Sequence, residues 1–398
     1  MAHGSGGLDT AELMRDVFSK HFGNGILARL EDSAVIDLIG DAQGGIAEPF
    51  PCVQESSIES RPCVQESSIE SLPCVQTEPI SCVPSAPSRI AISTDTFVVT
   101  PLVFPGGDIG KLAAYGTVND VLMSGATPKY LTCGFIIETG LPVSLLDGIC
   151  ASLAAAAKEA GVTIVAGDTK VVEGRVEGGG LMINTTGVGV FPSSQNSLPS
   201  PSGIRPGDAI IVSGNLGDHH AAILSARLGI RNSIESDCAL LSPIINALRE
   251  AGVGVHAIRD VTRGGLGTIL NELAAASDVS IALEEESIPV SPAVRAFCGI
   301  MGLDPLYMGN EGKLVMAVPP GDLERALAAV RSTGIGKDAA LIGTAMPGVK
   351  PANEACEGST LGKTSLPGDG IVPVTMRTRV GGTVRIDVLY GEGLPRIC

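Results

Sequence analysis

The stretch Ile90-Ala91-Ile92-Ser93-Thr94-Asp95, with Phe104-Pro105-Gly106-Gly107-Asp108-Ile109-Gly110-Lys111-Leu112 shortly after it, decides how this chain folds. Ile90 to Thr94 reads as a strand, and Ile109 to about Ser124 reads as a helix. Asp95 is then expected just past a strand end, and Gly106-Gly107 at a helix start. The first amides of a helix are unpaired donors and its dipole favours anions, so this loop, with Lys111 on the first turn, is expected to meet phosphate. It is not a Walker motif, because Pro105 stands where the first glycine should be and Leu112 where a hydroxyl should bind magnesium. Gly358-Ser359-Thr360-Leu361-Gly362-Lys363-Thr364 fails as well, being one residue short between its glycines with no strand before it.

The pattern continues outward in both directions. Leu131–Glu138, Val162–Ala166 and Leu181–Val190 read as strands, and Leu145–Ala160 as an alanine-rich helix. After a proline-rich stretch, Phe191–Pro206, the alternation resumes. Ala209–Ser213, Leu314–Val318 and Ala340–Thr344 read as strands; 218–228, 239–250, 266–277 and Leu323–Arg331 read as helices. Thr383–Tyr390 alternates as a strand. Upstream, 8–22 reads as a helix, with Asp9 and Glu12 at capping-box spacing. Residues 47–88 are different. Pro51-Cys52-Val53-Gln54-Glu55-Ser56-Ser57-Ile58-Glu59-Ser60 recurs from Pro62 to Ser71, and Pro73-Cys74-Val75-Gln76 begins a third copy. Cys52, Cys63, Cys74 and Cys82 lack the close pairing of zinc ligands, so this segment is expected to be a tandem-duplicated, disordered insertion. The expected organisation is an N-terminal flap and helix over 1–46, the insertion 47–88, an ATP-binding domain 89–192, a linker 193–206, a second domain 207–346, a second insertion 347–375 and a final strand and tail 376–398.

Bulk composition narrows the function. Of 398 residues, 44% are hydrophobic and the net charge is −16, which argues against a phosphate-backbone binder. An acidic protein still binds nucleotides when magnesium stands between its carboxylates and the phosphates. Met1–Gly7 has no basic or apolar signal region, and no run is long enough to span a bilayer, so the expected location is the cytoplasm. The ten cysteines then do not imply disulfides. Cys133, Cys150, Cys238 and Cys298 are expected to be buried, the last three on helix faces. The last residue is Cys398, in Pro395-Arg396-Ile397-Cys398. Prenylation would need a cysteine at Pro395. A terminal thiol on a mobile tail could instead carry a substrate between sites.

The carboxylates carry the chemistry. Asp95, Asp120 in Val118-Asn119-Asp120, Asp168 in Gly167-Asp168-Thr169-Lys170, and Asp260 in Arg259-Asp260-Val261-Thr262-Arg263-Gly264-Gly265 sit in glycine-rich settings. Such carboxylates repel one another unless a cation neutralises them, and magnesium bridging to triphosphate is the usual solution. With these segments, the chain resembles the aminoimidazole ribonucleotide synthetase superfamily. Within it, His3-Gly4-Ser5-Gly6-Gly7, Phe104-Pro105-Gly106-Gly107, Cys133-Gly134-Phe135, Gly167–Val172, Asn310-Glu311-Gly312-Lys313 and the terminal tetrapeptide resemble the carbamoyl dehydratase family of [NiFe]-hydrogenase maturation. The resemblance covers nearly all of the chain outside about 47–88 and 347–375.

What the resemblance implies is specific. The fold would be α+β and PurM-like, with an N-terminal domain forming a β-barrel across a homodimer, a second α+β domain and a flexible C-terminal tail. A carbamoyltransferase, HypF, would load Cys398. ATP-dependent dehydration would turn the S-carboxamide into an S-cyanate, and the cyano group would pass to iron on a HypC–HypD complex. Asp95, Asp120, Asp168 and Asp260 would hold Mg2+. Gly4, Ser5, Gly6, Gly7, Lys111, Asn119, Thr169, Thr262, Arg263 and Gly264 would contact ATP. Lys170 would lie near the reacting oxygen, and Glu311 would remove the amide proton. A turn carboxylate paired with Lys313 is the plainer reading of Glu311. His219, in Gly214–His220, is read mainly as part of a helix start, with a position near the cleft as the alternative. A small-molecule kinase of the same superfamily and a nucleotide-binding scaffold are the competing functions.

Overall fold

The structure, a computed structural model, describes residues 26, 33–37, 89–174, 180–191, 199–348 and 374–389. The flap Gly4–Gly7, the helix expected over 8–22, the repeat within 47–88, most of the second insertion and the tail with Cys398 lie outside the described residues.

The first unit comprises β1 (Ala34–Asp37), β2 (Arg89–Phe97), a short hairpin of β3 (Val103–Phe104) and β4 (Gly107–Asp108), α1 (Ile109–Met123), β5 (Thr127–Glu138), α2 (Val143–Glu159), β6 (Thr163–Val172) and β7 (Leu181–Val190). The main sheet runs β1-β2-β7-β5-β6. Only the β5–β6 pair is parallel. Asp37 and Arg89 are register partners, so the chain between them leaves and rejoins the sheet at one place. β7 alternates between core and open faces, as a half-buried strand should. α1 packs on β2 and β7, and α2 packs on α1. The strands are longer than the local sequence suggests. β2 runs to Phe97 and β6 to Val172, so Asp95 and Asp168 lie inside strands rather than past their ends. Ladder pairing with β7 and β5 outweighs the poor strand preference of aspartate.

The second unit comprises β8 (Ala209–Val212), α3 (Asp218–Leu228), α4 (Ser242–Glu250), β9 (Ala257–Asp260), α5 (Gly265–Ala276), β10 (Val279–Glu284), α6 (Pro292–Met301), β11 (Leu314–Val318), α7 (Leu323–Arg331), β12 (Ala340–Pro347), β13 (Val374–Arg377) and β14 (Thr383–Arg385). Its sheet runs β14-β13-β10-β12-β8-β11-β9, with the interior strands β8 and β11 wholly buried. The two units share apolar packing. Leu112 and Ile149 of the first join Leu241, Ile244, Met316 and Val330 of the second in one buried cluster. Each such side chain contributes about 1.5–3 kcal/mol by burial, so parting the units would be costly.

The cysteines divide by environment. Cys133 on β5 and Cys298 on α6 are buried, and burial first of all pushes each thiol up to about 11. Cys238 is buried and raised well above the ordinary thiol value, again chiefly by burial. It lies before α4 rather than on a helix face, because α4 begins only at Ser242. Cys150 is exposed, contrary to expectation, yet partial desolvation and Asp147 still raise it. Among the described residues no helix is long and apolar enough to cross a membrane.

Candidate active site

The period of β2 builds the first wall. Ser93, Asp95 and Phe97 fall on the face that meets α1. There the Ser93 hydroxyl donates to Asp120 Oδ2 at 2.8 Å, and the Thr117 hydroxyl donates to Asp95 Oδ2 at 2.8 Å. Helical spacing puts Gly116 and Asp120 on one side of α1. A side chain at Gly116 would begin 2.7 Å from the Phe97 ring, so its glycine lets helix and strand approach.

The second unit supplies the opposite wall. Asp260 ends β9 and is 6% exposed. Burial raises its pKa; Arg259 opposes this, Asp95 adds to it, and a hydrogen bond with Asp120 works against it. Thr262 and Arg263 follow, then Gly264 and Gly265 at φ +82° and +66° turn the chain into α5. A Cβ at Gly265 would stand 2.5 Å from the Leu306 carbonyl. Gly264 caps α5 and has no side chain to offer its amides. Glu311 enters from the loop before β11. Its pKa is raised well above the ordinary value, first by burial, then by Asp260 and Asp237, with Arg263 opposing.

Together Asp95, Asp120, Asp260, Thr262, Arg263 and Glu311 line a cleft of about 210 Å³, with Phe97 and Gly116 also on its wall. Four carboxylates thus face one space beside a single guanidinium among its lining residues. Such a space favours a cation-bound polyanion over a bare anion. Among the described residues no three His, Cys, Asp or Glu side chains form a metal-ligating group by themselves.

Other expected site residues lie elsewhere. The amides at the start of α1 are not free: Asp108 Oδ1 accepts from Gly110 N at 2.7 Å and Lys111 N at 3.0 Å, and Ile109 N donates to Leu102 O. The expected phosphate loop is therefore self-capped. The signal was legible, since aspartate directly before a helix is a preferred cap. Lys111 Nζ donates to Gly106 O at 3.2 Å and lies 5.8 Å from the centre of the Tyr115 ring, outside the cleft lining.

Asn119 is buried and faces away from the cleft. Its Nδ2 donates to Ala239 O at 3.0 Å and its Oδ1 accepts from Leu241 N at 2.9 Å, tying the two units together. Asp168, Thr169 and Lys170 sit on β6, whose ten residues are all exposed. Lys170 pairs with Asp168 at 3.4 Å, and Thr169 N donates to Asp168 Oδ1. None of the three lines the cleft of its own chain. His219 is buried beside Ser236 rather than in the cleft, its Nδ1 2.7 Å from Ser236 Oγ. Lys313 pairs with Asp237 at 3.1 Å, not with Glu311. No motif marks the connector 234–241, and the helix expected over 239–250 begins only at Ser242, which leaves 239–241 in the connector.

The chain matches two family descriptions: AIR synthase related protein, N-terminal domain, over residues 81–191, and AIR synthase related protein, C-terminal domain, over 205–352. The carbamoyl dehydratase HypE of Escherichia coli (strain K12) is 43% identical over 346 residues, covering 86% of this chain and 89% of the relative. A crystal structure of a HypE–HypF complex is similar with a TM-score of 0.71 and 36% identity, over 95% of this chain and 99% of that one. A crystal structure of HypE in complex with ATP is similar with a TM-score of 0.68 and 39% identity, over 100% and 98%.

Proposed function

Because the chain belongs to the HypE family of carbamoyl dehydratases, we propose that the cleft between Asp95, Asp120, Asp260 and Glu311 is where its reaction takes place. The protein is an ATP-dependent carbamoyl dehydratase of hydrogenase maturation. It converts an S-carboxamide on its own C-terminal cysteine to an S-cyanate, the source of the cyanide ligands of the [NiFe] centre. The observation that carries the assignment of the site is the convergence of four carboxylates and Arg263 on one cleft.

An amide oxygen is a poor leaving group. Once it takes the γ-phosphoryl group of ATP, the C–O bond can break with phosphate leaving, while nitrogen gives up its protons and C≡N forms. In our assignment Glu311 accepts a proton from the amide nitrogen. Its raised pKa makes it a stronger base than an ordinary glutamate. Thr262, Arg263 and the uncapped start of α5 at Gly264 bind phosphate oxygens, where amides and the helix dipole favour anions. Gly4–Gly7 is assigned to phosphate contact and to limiting hydrolysis. Asp95, Asp120 and Asp260 would hold Mg2+, which neutralises phosphate charge when bound.

Asp168, Thr169 and Lys170 act, in this reading, from a second copy of the chain. Among the described residues β6 is a sheet margin, with Val165 56% and Val171 66% exposed, which favours closure against another sheet. The natural protein is expected to behave as a homodimer in light scattering after gel filtration. A Val165→Lys/Val171→Lys variant should run as monomer and lose dehydration. A wild-type monomer at micromolar concentration would refute the assignment.

HypF is the carbamoylating partner, and HypC–HypD the acceptor of the cyano group. Both exchanges are assigned to the cytoplasm. The function is tested by intact mass spectrometry after incubation with HypF, carbamoyl phosphate and ATP. The C-terminal peptide should gain a carbamoyl group and then lose one water only when ATP is present. A peptide that gains neither change sinks the reading.

A further inference from the structure

Glu311 is held in the cleft by a second segment, the connector 234–241. The Glu311 N–H donates to Asp237 Oδ1 at 3.0 Å. The Ala239 N–H donates to the Glu311 carbonyl at 3.3 Å. Residue 311 is thus gripped at both of its main-chain polar groups. The other oxygen of Asp237 stands 3.1 Å from Lys313 Nζ, with the two side chains only 5% and 10% exposed. Lys313 also donates to the Gly312 carbonyl. The contact is close enough that a Cβ on Gly312 would lie 2.0 Å from the Asp237 carbonyl.

The connector is itself fixed at several points. Ser236 N donates to Pro105 O at 2.8 Å, and the Ser236 hydroxyl meets His219 Nδ1. Asn119, the neighbour of Asp120 on α1, clamps Ala239 and Leu241. One segment therefore sets Glu311 relative to the helix that carries Asp120.

A buried ion pair is weak evidence for stability, since the desolvation of two charges offsets most of their attraction. It does, however, fix geometry, because either partner moved alone is left charged and unpaired. We propose that Asp237 is the positioning residue for Glu311, its carboxylate locked between Lys313 and the Glu311 amide so that the Glu311 side chain projects into the cleft. Asp237 is not among the residues that line the cleft. The proposal rests on the assignment of Glu311 as the base, and the experiment separates the two.

The test measures single-turnover dehydration of full-length protein already carbamoylated on Cys398, with ATP binding measured in parallel. Asp237→Ala should slow dehydration by roughly 10²-fold, the scale expected of a displaced catalytic group, while ATP still binds. Asp237→Asn combined with Lys313→Met keeps an acceptor for the Glu311 amide and leaves no charge unpaired. That pair should recover to within roughly tenfold of the natural rate. In a Glu311→Gln background, Asp237→Ala should add no further loss, as expected for residues acting through one another.

Dehydration at the natural rate in Asp237→Ala, alongside a slow Glu311→Gln, overturns this proposal alone. A loss that multiplies in the Glu311→Gln background does the same. A Glu311→Gln protein at full rate removes the base assignment and this inference with it. Should Asp237→Ala fail to fold, the paired variant decides: folded and active supports the proposal, folded and as slow as Glu311→Gln overturns it.

Discussion

A Cys398→Ala protein is expected to bind ATP as the natural chain does, yet to form no S-carboxamide and no S-cyanate, with ATP consumption falling to background. The cleft residues Asp95, Asp120, Asp260, Arg263 and Glu311 are all unchanged in this variant, so the proposed nucleotide site keeps its full set of groups. What disappears is the amide oxygen that receives phosphate. Binding survives and turnover does not, which is the signature of a lost substrate rather than a lost catalyst. Paired nucleotide titration and ATPase assays, with the mass of the C-terminal peptide, measure this. A kinase acting on a free small molecule would continue to consume ATP in the variant, and that result would exclude the carrier role of Cys398.

The second large effect is expected at Glu311. Glutamine matches its shape and cannot take a proton, so Glu311→Gln should lower the dehydration rate by about 10²–10⁴-fold, the usual contribution of a general base. ATP affinity should hold or rise, because one negative charge leaves an acidic cleft. The pH profile gives the sign. Burial, Asp260 and Asp237 raise this carboxyl, so it remains protonated to higher pH than a free glutamate. The natural enzyme should therefore gain activity as pH rises through a midpoint well above the ordinary glutamate value. That limb should vanish in Glu311→Gln. A variant with unchanged rate and unchanged limb would assign the proton to another group.

Local pattern made much of this molecule legible, and tertiary pairing decided the rest. The strands Leu181–Val190 and Leu314–Val318 and the helix Leu323–Arg331 have the bounds their sequences suggest. Ala257–Asp260 escaped notice because four residues are too few to show a period. Pro292–Met301 also escaped, although Ser291, Pro292 and Gly302 form a cap, a first-turn proline and a left-handed stop.

The site divides in the same way. Asp95 and Asp120 meet through the strand period and the face of one adjoining helix, both local properties. Asp168 resembles them in sequence, but the sheet order places β6 at a margin, and nothing within Gly167-Asp168-Thr169-Lys170 encodes that position. Asn119 adjoins Asp120 in sequence, yet a helix turns successive residues by about 100°, and Asn119 faces the connector instead. Asp237 carries no motif at all; its partners Glu311 and Lys313 are distant in sequence.

The four described thiols bear on the safety of the product. An organic thiocyanate is destroyed when a thiolate attacks its sulfur, forming a disulfide and expelling cyanide ion. Only the ionised thiol is a competent attacker. Burial raises Cys133 and Cys298 to about 11, raises Cys238 well above the ordinary thiol value and, with Asp147, raises Cys150 as well. At neutral pH these sulfurs are almost wholly protonated, and three of them are also out of reach. The folded domains can therefore hold a cyanated residue without their own cysteines discharging a poison into the cell.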